Sequence, residues 1–147
     1  MTEISNRKAF HLYSIETTYT AGIVLNGPEV KSIRQGQVSF NDSYCLIDDH
    51  NEIWLKSLYI APYSNEFFNE KKPDSDRKLL LEKKEINKIR QKFLEKGYTL
   101  IPLKIFNNEH NLIKIIIGLG KGKKLVDKRL LEKTKEVTRD INRKYKL

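Results

Sequence analysis

The apolar residues of this chain come in short bursts, none longer than four, separated by turn-forming residues. That spacing suits strands of ordinary length and excludes a membrane-crossing helix, which needs ~20 apolar residues in a row. Met1 to Lys8 contains no apolar stretch of the kind that begins a secretory leader. Cys45 is the one cysteine among 147 residues, so neither an internal disulfide nor a cysteine-based zinc site is available, and a reducing, cytoplasmic setting is expected. The length matches one domain with a real core.

Charge is unevenly spread. The whole chain carries 28 Lys and Arg against 19 Asp and Glu. Residues 1–76 hold 7 cations against 11 acids, and residues 77–147 hold 21 against 8. The last 27 residues alone hold 11 against 4. A basic end on a chain of this size is the footprint of a polyanion-binding protein, although a solvated lysine-rich surface has the same composition.

Alternation predicts a strand over Lys8–Tyr19 and a second over Gly22–Leu25. Asn26-Gly27-Pro28 signals a turn, and Glu29–Gln35 reads as a two-turn helix stopped by Gly36. Ser43–Ile47 and Glu52–Leu58 form an expected hairpin around the polar turn Asp48–Asn51. Residues 61–76, with Pro62 and Pro73, read as a mobile loop. In Glu82–Lys96 the apolar Ile86, Ile89 and Phe93 share one helical face, and Gly97 follows as a stop. Tyr98–Phe106 and Leu112–Leu119 are expected strands joined at Asn107–Asn111.

Beyond residue 120 the strand pattern ends. Leu130, Thr134, Val137, Ile141 and Tyr145 fall on one helical stripe among cations. An isolated helix that short is marginal in water, so a tail that is helical only when docked is expected. The chain divides into a body, residues 1–120, and a basic tail, residues 121–147. Five or six strands with two helices predict a mainly β protein, a small antiparallel barrel of the oligonucleotide-binding type.

Catalytic templates find no match. His11, His50 and His110 fall in a strand and two turns, Cys45 falls in a strand, and Asp48-Asp49-His50 is a good turn sequence rather than a metal cluster. No catalytic residue, metal site or cofactor is expected, and no small-molecule substrate. Gly118–Lys124 is rich in glycine and lysine but lacks the spacing of a nucleotide-binding loop and the hydroxyl that would hold magnesium. Its glycines would let backbone amides approach phosphates, with Lys121, Lys123 and Lys124 around them; a plain glycine turn is the alternative. Asn6, Arg7 and Lys8 with Lys31 and Arg34 make a second expected patch, and Tyr13, Tyr19 and Tyr44 could stack on unpaired bases or pack the barrel.

Several segments resemble the SmpB family of tmRNA-binding proteins. They are Asn6-Arg7-Lys8-Ala9 with His11 and Tyr13, Gly22–Leu25, Glu29–Arg34, Asp42-Ser43-Tyr44, Pro62-Tyr63, Arg77–Leu81, Lys96-Gly97 through Pro102-Leu103, Gly120–Lys124 and Asp127-Lys128-Arg129. They run in family order from residue 6 to 129. The resemblance implies binding to the tRNA-like domain of tmRNA, indirect contact with elongation factor Tu through that RNA, and entry into a stalled ribosome. It implies tmRNA contacts near Asn6, Arg34, Lys114 and Gly122, supported by Leu80. It implies a tail motif at Asp127, Lys128 and Arg129 that engages small-subunit RNA at the decoding centre, with the tail cations Lys133, Lys135, Arg139, Arg143 and Lys144 behind it. Two positions depart from the family pattern: Thr20 stands where an acidic residue is common, and Val126 where an aromatic or histidine is usual. A structural RNA-binding barrel without tmRNA, and a small nuclease, are the competing readings.

Overall fold

The computed structural model describes residues 3–63, 72–95 and 97–123. Among them are nine strands and three helices. In order these are β1 (Glu3–Ser5), α1 (Arg7–Leu12), β2 (Tyr13–Ile23), α2 (Gly27–Arg34), β3 (Val38–Ser39), β4 (Tyr44–Ile47), β5 (Ile53–Lys56), β6 (Tyr59–Ile60), β7 (Arg77–Leu80), α3 (Lys83–Phe93), β8 (Tyr98–Asn107) and β9 (Ile113–Gly122).

Seven strands form one antiparallel sheet in the order β1-β8-β4-β5-β7-β2-β9, and β9 pairs back onto β8. That last pairing closes a ring of six strands, with β1 added on the outside of β8, which is the small barrel-like arrangement expected. Alternation sets what fills it. Ile53, Leu55, Leu79, Leu100, Ile105, Ile115, Ile117 and Leu119 point inward and are buried, and Ile33 of α2 and Ile89 of α3 complete the core. β3 and β6 pair apart from the ring.

The expected Lys8–Tyr19 strand is half helix. Its alternation is real, but α1 buries only Ala9, and Phe10 is half exposed. What makes this turn helical is its dock on β8. Pairing slips between Pro102 and Lys104, and the carbonyls at this bulge take the helix start: the Asn6 amide N–H reaches Leu103 O at 2.7 Å, and the Asn6 side chain donates to Pro102 O at 2.8 Å. Ala9 then packs with Ile101 and Leu103. The bulge also explains how proline sits inside a strand.

The two strands expected over Lys8–Tyr19 and Gly22–Leu25 merge into one, β2, with a bulge at Glu16. β7 follows the 61–76 segment and was not signalled by alternation. The described ends of that segment are tied down: Ile60 donates to Pro73 O at 2.9 Å and Ala61 to Gln37 O at 3.0 Å. β9 continues to Gly122, so Lys121 and Gly122 belong to the strand rather than to a strandless tail. Most of the tail lies outside the described residues.

α2 begins with a capping box. Asn26 accepts from the Glu29 amide at 2.9 Å, and Glu29 accepts from the Asn26 amide at 3.0 Å. Pro28 falls in the first turn as expected. The other Glu29 oxygen meets Arg77 of β7, with Nη2 at 2.6 Å and Nε at 2.8 Å, and both side chains are buried. Arg77 also donates to Leu58 O and Pro73 O. Nearly all donors of this guanidinium are thereby used, the condition under which a buried ion pair is tolerated.

Candidate nucleic-acid interface

The residues expected to touch RNA fall at two ends of the β2–β9 ladder. At one end the β8–β9 hairpin turn lies beside α2. Gly22 of β2 pairs with Leu80 of β7 on one side and Lys114 of β9 on the other, and Lys114 pairs with Phe106 of β8. These four form one cross-strand row. Two residues along β2, Thr20 is exposed and pairs with Ile116, which pairs with Lys104. Leu80 is 52% exposed, and its Cβ lies 3.3 Å from where a Cβ on Gly22 would be. The glycine lets this leucine lie close over the sheet.

Arg34 enters from the last turn of α2 and donates to Asn111 O at 3.1 Å, fixing the helix end to the hairpin turn. Lys31 lies 5.1 Å from the centroid of the Tyr63 ring, a cation–π contact. Both cations also suit the negative end of the helix dipole. Thr20, Lys31, Arg34, Leu80 and Lys114 are thus gathered by α2, β2, β7 and β9 at one end of the ring.

The other end is about 30 Å away along the strand, nine residue steps from Gly22 to Tyr13, which pairs with Gly122. Lys121, Gly122 and Lys123 lie here, and α1, which carries Arg7 and Lys8, runs back from it to Asn6, whose partner Pro102 lies midway along the ladder, opposite Ile117 and in register with Tyr19. The structure therefore divides the patch expected from Asn6–Lys8 with Lys31 and Arg34: Asn6 is held at Pro102, and Arg34 is held at Asn111.

The glycine-rich segment is used differently from the phosphate-cradling expectation. Gly118 and Gly120 are buried. A Cβ on Gly120 would stand 2.3 Å from Ser14 O, and one on Gly118 would stand 2.7 Å from the Leu103 side chain. These positions lack side chains because neighbouring strands and core residues come too close. Lys123 donates from its backbone to Leu12 O at 3.0 Å and from Nζ to Phe10 O at 3.0 Å, closing the strand end onto α1. Lys121 lies 4.7 Å and Lys92 of α3 5.4 Å from the centroid of the Tyr98 ring. The Tyr98 hydroxyl donates to Glu16 at 2.6 Å. That bond to a carboxylate is the main reason its pKa is pushed up to about 12. Alternation could not reveal this knot, because it depends on the bulge that turns Glu16 out of the ladder.

The remaining titratable candidates are structural or on the surface. His11, His50 and His110 are exposed. Asp48 caps its own turn, accepting from the Glu52 and His50 amides at 2.9 Å and from Trp54 Nε1 at 2.8 Å. The Glu52 amide, then Trp54, hold its carboxyl below the usual range. Burial pushes the Cys45 thiol up, so it is a core residue and not a nucleophile. Among the described residues no group of three His, Cys, Asp or Glu could hold a metal ion, and no helix is long and apolar enough to cross a membrane. Lys124, Val126, Asp127, Lys128, Arg129, Lys133, Lys135, Arg139, Arg143 and Lys144 lie outside the described residues.

A closed antiparallel ring with helices at its flanks and cations and polar residues on its strands defines the class: a small oligonucleotide-binding-type β domain. The family model described as SmpB protein matches residues 3–147, and the chain belongs to that family. An SsrA-binding protein of Oleidesulfovibrio alaskensis is 46% identical over 138 residues, covering 94% of this chain and 88% of that one. An SsrA-binding protein of Aquifex aeolicus is 48% identical over 142 residues, covering 96% and 89%. A solved structure described as "tmRNA-SmpB: a journey to the center of the bacterial ribosome" superposes with a TM-score of 0.70 at 46% identity, covering 84% of this chain and 85% of that one.

Proposed function

We propose that this protein is the tmRNA-binding adaptor of trans-translation. It binds the tRNA-like domain of tmRNA, brings it to a stalled ribosome, and places its tail in the vacant message channel at the decoding centre. The observation that carries this reading is the near full-length match to the SmpB family together with SsrA-binding relatives at 46% and 48% identity. The protein makes and breaks no bond, and peptide transfer belongs to the ribosome. Elongation factor Tu meets it through tmRNA, and the site of action is the cytoplasm.

The hairpin end is the face for the structured RNA. Thr20, Lys31, Arg34 and Lys114 converge there, with Leu80 over Gly22 supplying an apolar surface against a sugar or base. Phosphate contacts position a nucleic acid, and an arginine fork adds directionality. Lys121, Gly122 and Lys123 lie at the root of the tail, and α1 carries Arg7 and Lys8 between that root and Asn6. Lys123 ties the end of β9 to the end of α1, and Asn6 ties the start of α1 to β8. The tail, including Val126–Arg129, reads an empty channel sterically: message in the channel excludes it, and a vacant channel admits it and lets it fold against ribosomal RNA.

Reconstituted translation of a message without a stop codon tests the proposal. Adding this protein with tmRNA should tag and release the stalled peptide, and a chain ending at Lys124 should keep tmRNA affinity and lose tagging. Binding to ribosomal RNA with no tagging at any concentration would favour the structural RNA-binding barrel instead.

A further inference from the structure

Residues 58–63 are fastened to α2 and its surroundings almost residue by residue. β6 pairs with β3 at Val38 and Ser39. Ile60 also donates to Pro73 O, and Ala61 donates to Gln37 O. Arg77, buried against Glu29 of α2, donates to the Leu58 carbonyl. Ser32, about one turn further along α2, donates from Oγ to Ala61 O at 2.6 Å. Pro62 then restricts the chain by its fixed φ and biases Ala61 before it towards extended backbone. Tyr63 is therefore presented from a braced backbone.

That backbone places a ring beside a cation. Lys31 is exposed in the last turn of α2, and its ammonium lies 5.1 Å from the centroid of the partly buried Tyr63 ring. Lys31 and Arg34 stand three residues apart and so share one side of the helix. The two are set differently. Arg34 is fixed by its hydrogen bond to Asn111 O in the hairpin turn. A lysine ammonium is a point charge on a flexible four-carbon stem, so its place depends on what packs against it. The Tyr63 ring supplies such a contact.

A ring suits a cation that has a second task. It attracts the ammonium through its quadrupole and takes no N–H to a lone pair. A carboxylate in the same place would neutralise the charge. A carbonyl would consume a donor, as Phe10 O does for Lys123 at the other end of the ladder. A ring leaves the positive charge in place to draw a phosphate. Narrowing the rotamers of the lysine beforehand also lowers the ordering cost when that contact forms.

We infer that Tyr63 is a positioning residue of the hairpin-end RNA face: its ring holds the Lys31 ammonium on the side of α2 from which that cation meets the RNA backbone. The inference rests on the adaptor reading above and deepens it, since Tyr63 acts through Lys31 and itself touches no RNA. It also gives the fastenings of residues 58–61 a part in recognition. They fix the ring, and the ring fixes the cation.

The test is a double-mutant cycle in binding to the tRNA-like domain of tmRNA, at near-physiological salt. It uses the full chain, its Tyr63→Leu, Tyr63→Phe and Lys31→Gln variants, and the Tyr63→Leu, Lys31→Gln double variant. Leucine keeps apolar bulk and removes the ring, so Tyr63→Leu should bind about two- to fivefold more weakly, the fold-change of an exposed cation–π contact. Tyr63→Phe keeps the ring and should bind within about 1.5-fold of the parent. Lys31→Gln should lose at least as much as Tyr63→Leu, and adding Tyr63→Leu to it should cost nothing further. Unchanged affinity in Tyr63→Leu or in Lys31→Gln would overturn the inference. So would an additive cycle, which would mean that Tyr63 meets the RNA directly or acts through the fold as a whole. A loss in Tyr63→Phe equal to that in Tyr63→Leu would assign the effect to the hydroxyl and overturn it too. Urea unfolding is measured in parallel, and a Tyr63→Leu chain that no longer folds would make the ring part of the fold and overturn the inference as well. Each of these outcomes leaves the adaptor reading standing, because the parent chain still binds the domain. Failure of the parent chain to bind counts against the adaptor reading and, with it, against the inference.

Discussion

The two ends of the β2–β9 ladder are built from the same kinds of residue and use them differently. At the hairpin end a glycine, a leucine and a lysine lie in a row on the outer face, and Arg34 reaches over from α2. At the tail-root end the glycines are buried against backbone and core, and Lys121 and Lys123 hold aromatic and carbonyl groups of their own chain. Composition alone makes Gly118–Lys124 the more obvious phosphate site. The geometry makes Gly118–Lys123 a joint, and gives the weaker-looking sequence around Gly22, Leu80 and Lys114 the exposed surface.

The largest expected effect breaks the support of the hairpin end. Arg77→Met leaves Glu29 buried without its ion-pair partner and should cost about 3–5 kcal/mol in urea unfolding. It should also loosen α2 and with it Arg34. Replacing Glu29 by Gln in the same chain should recover part of the loss.

Gly120→Ala comes next and strikes the root end. The added methyl meets Ser14 O, a backbone atom that moves only if β2 and β9 separate. A loss of about 1–3 kcal/mol is expected by the same unfolding measurement. An unchanged midpoint would return Gly120 to the role of a phosphate-facing glycine.

Arg34→Ala should cost roughly 1–3 kcal/mol in binding to the tRNA-like domain, with little change in unfolding. Paired salt titrations then separate the two ends. Lys114→Gln should lower the salt dependence of RNA binding by about one charge, and Lys123→Gln should leave it unchanged because that ammonium is committed to Phe10 O. Equal reductions would erase the distinction between surface and joint.

The smallest effect is a pH dependence away from both ends. The carboxyl of Asp48 is held below its usual pKa by the Glu52 amide and then by Trp54. A depressed folded pKa means that this turn's contribution is present above the unfolded pKa and is lost as pH falls through the folded value. Trp54 fluorescence should therefore change on acidification in this protein, and the change should be absent in Asp48→Asn.

Much of this architecture could be read from the sequence. α3 was visible in the spacing of Ile86, Ile89 and Phe93, α2 in Asn26-Gly27-Pro28 and its following turns, and the two hairpins in alternation around polar turns. These are local signals, and the structure keeps them to within a few residues. α1 was hidden because His11, Tyr13 and Ile15 alternate as a strand would, while the helix is fixed by Asn6 on a bulge almost a hundred residues away. β1, β3, β6 and β7 were hidden because two to four residues carry too little pattern. The site was legible as a set of residue types and not as a place. The family resemblance points to Arg34 and Lys114, yet only the register joins Lys114 to Gly22 and Leu80, and only the packing of Gly120 on Ser14 removes it from the phosphate-binding set.

The central claim is that this ring is a specific receptor for the tRNA-like domain of tmRNA, with Arg34 and Lys114 at its contact face. A binding titration against that domain at near-physiological salt, with an elongator tRNA as competitor, tests it most directly. The account predicts tight binding that the tRNA fails to displace and that Arg34→Ala weakens. Equal, weak binding to both RNAs, unaffected by Arg34→Ala, would contradict it and leave a generic basic domain.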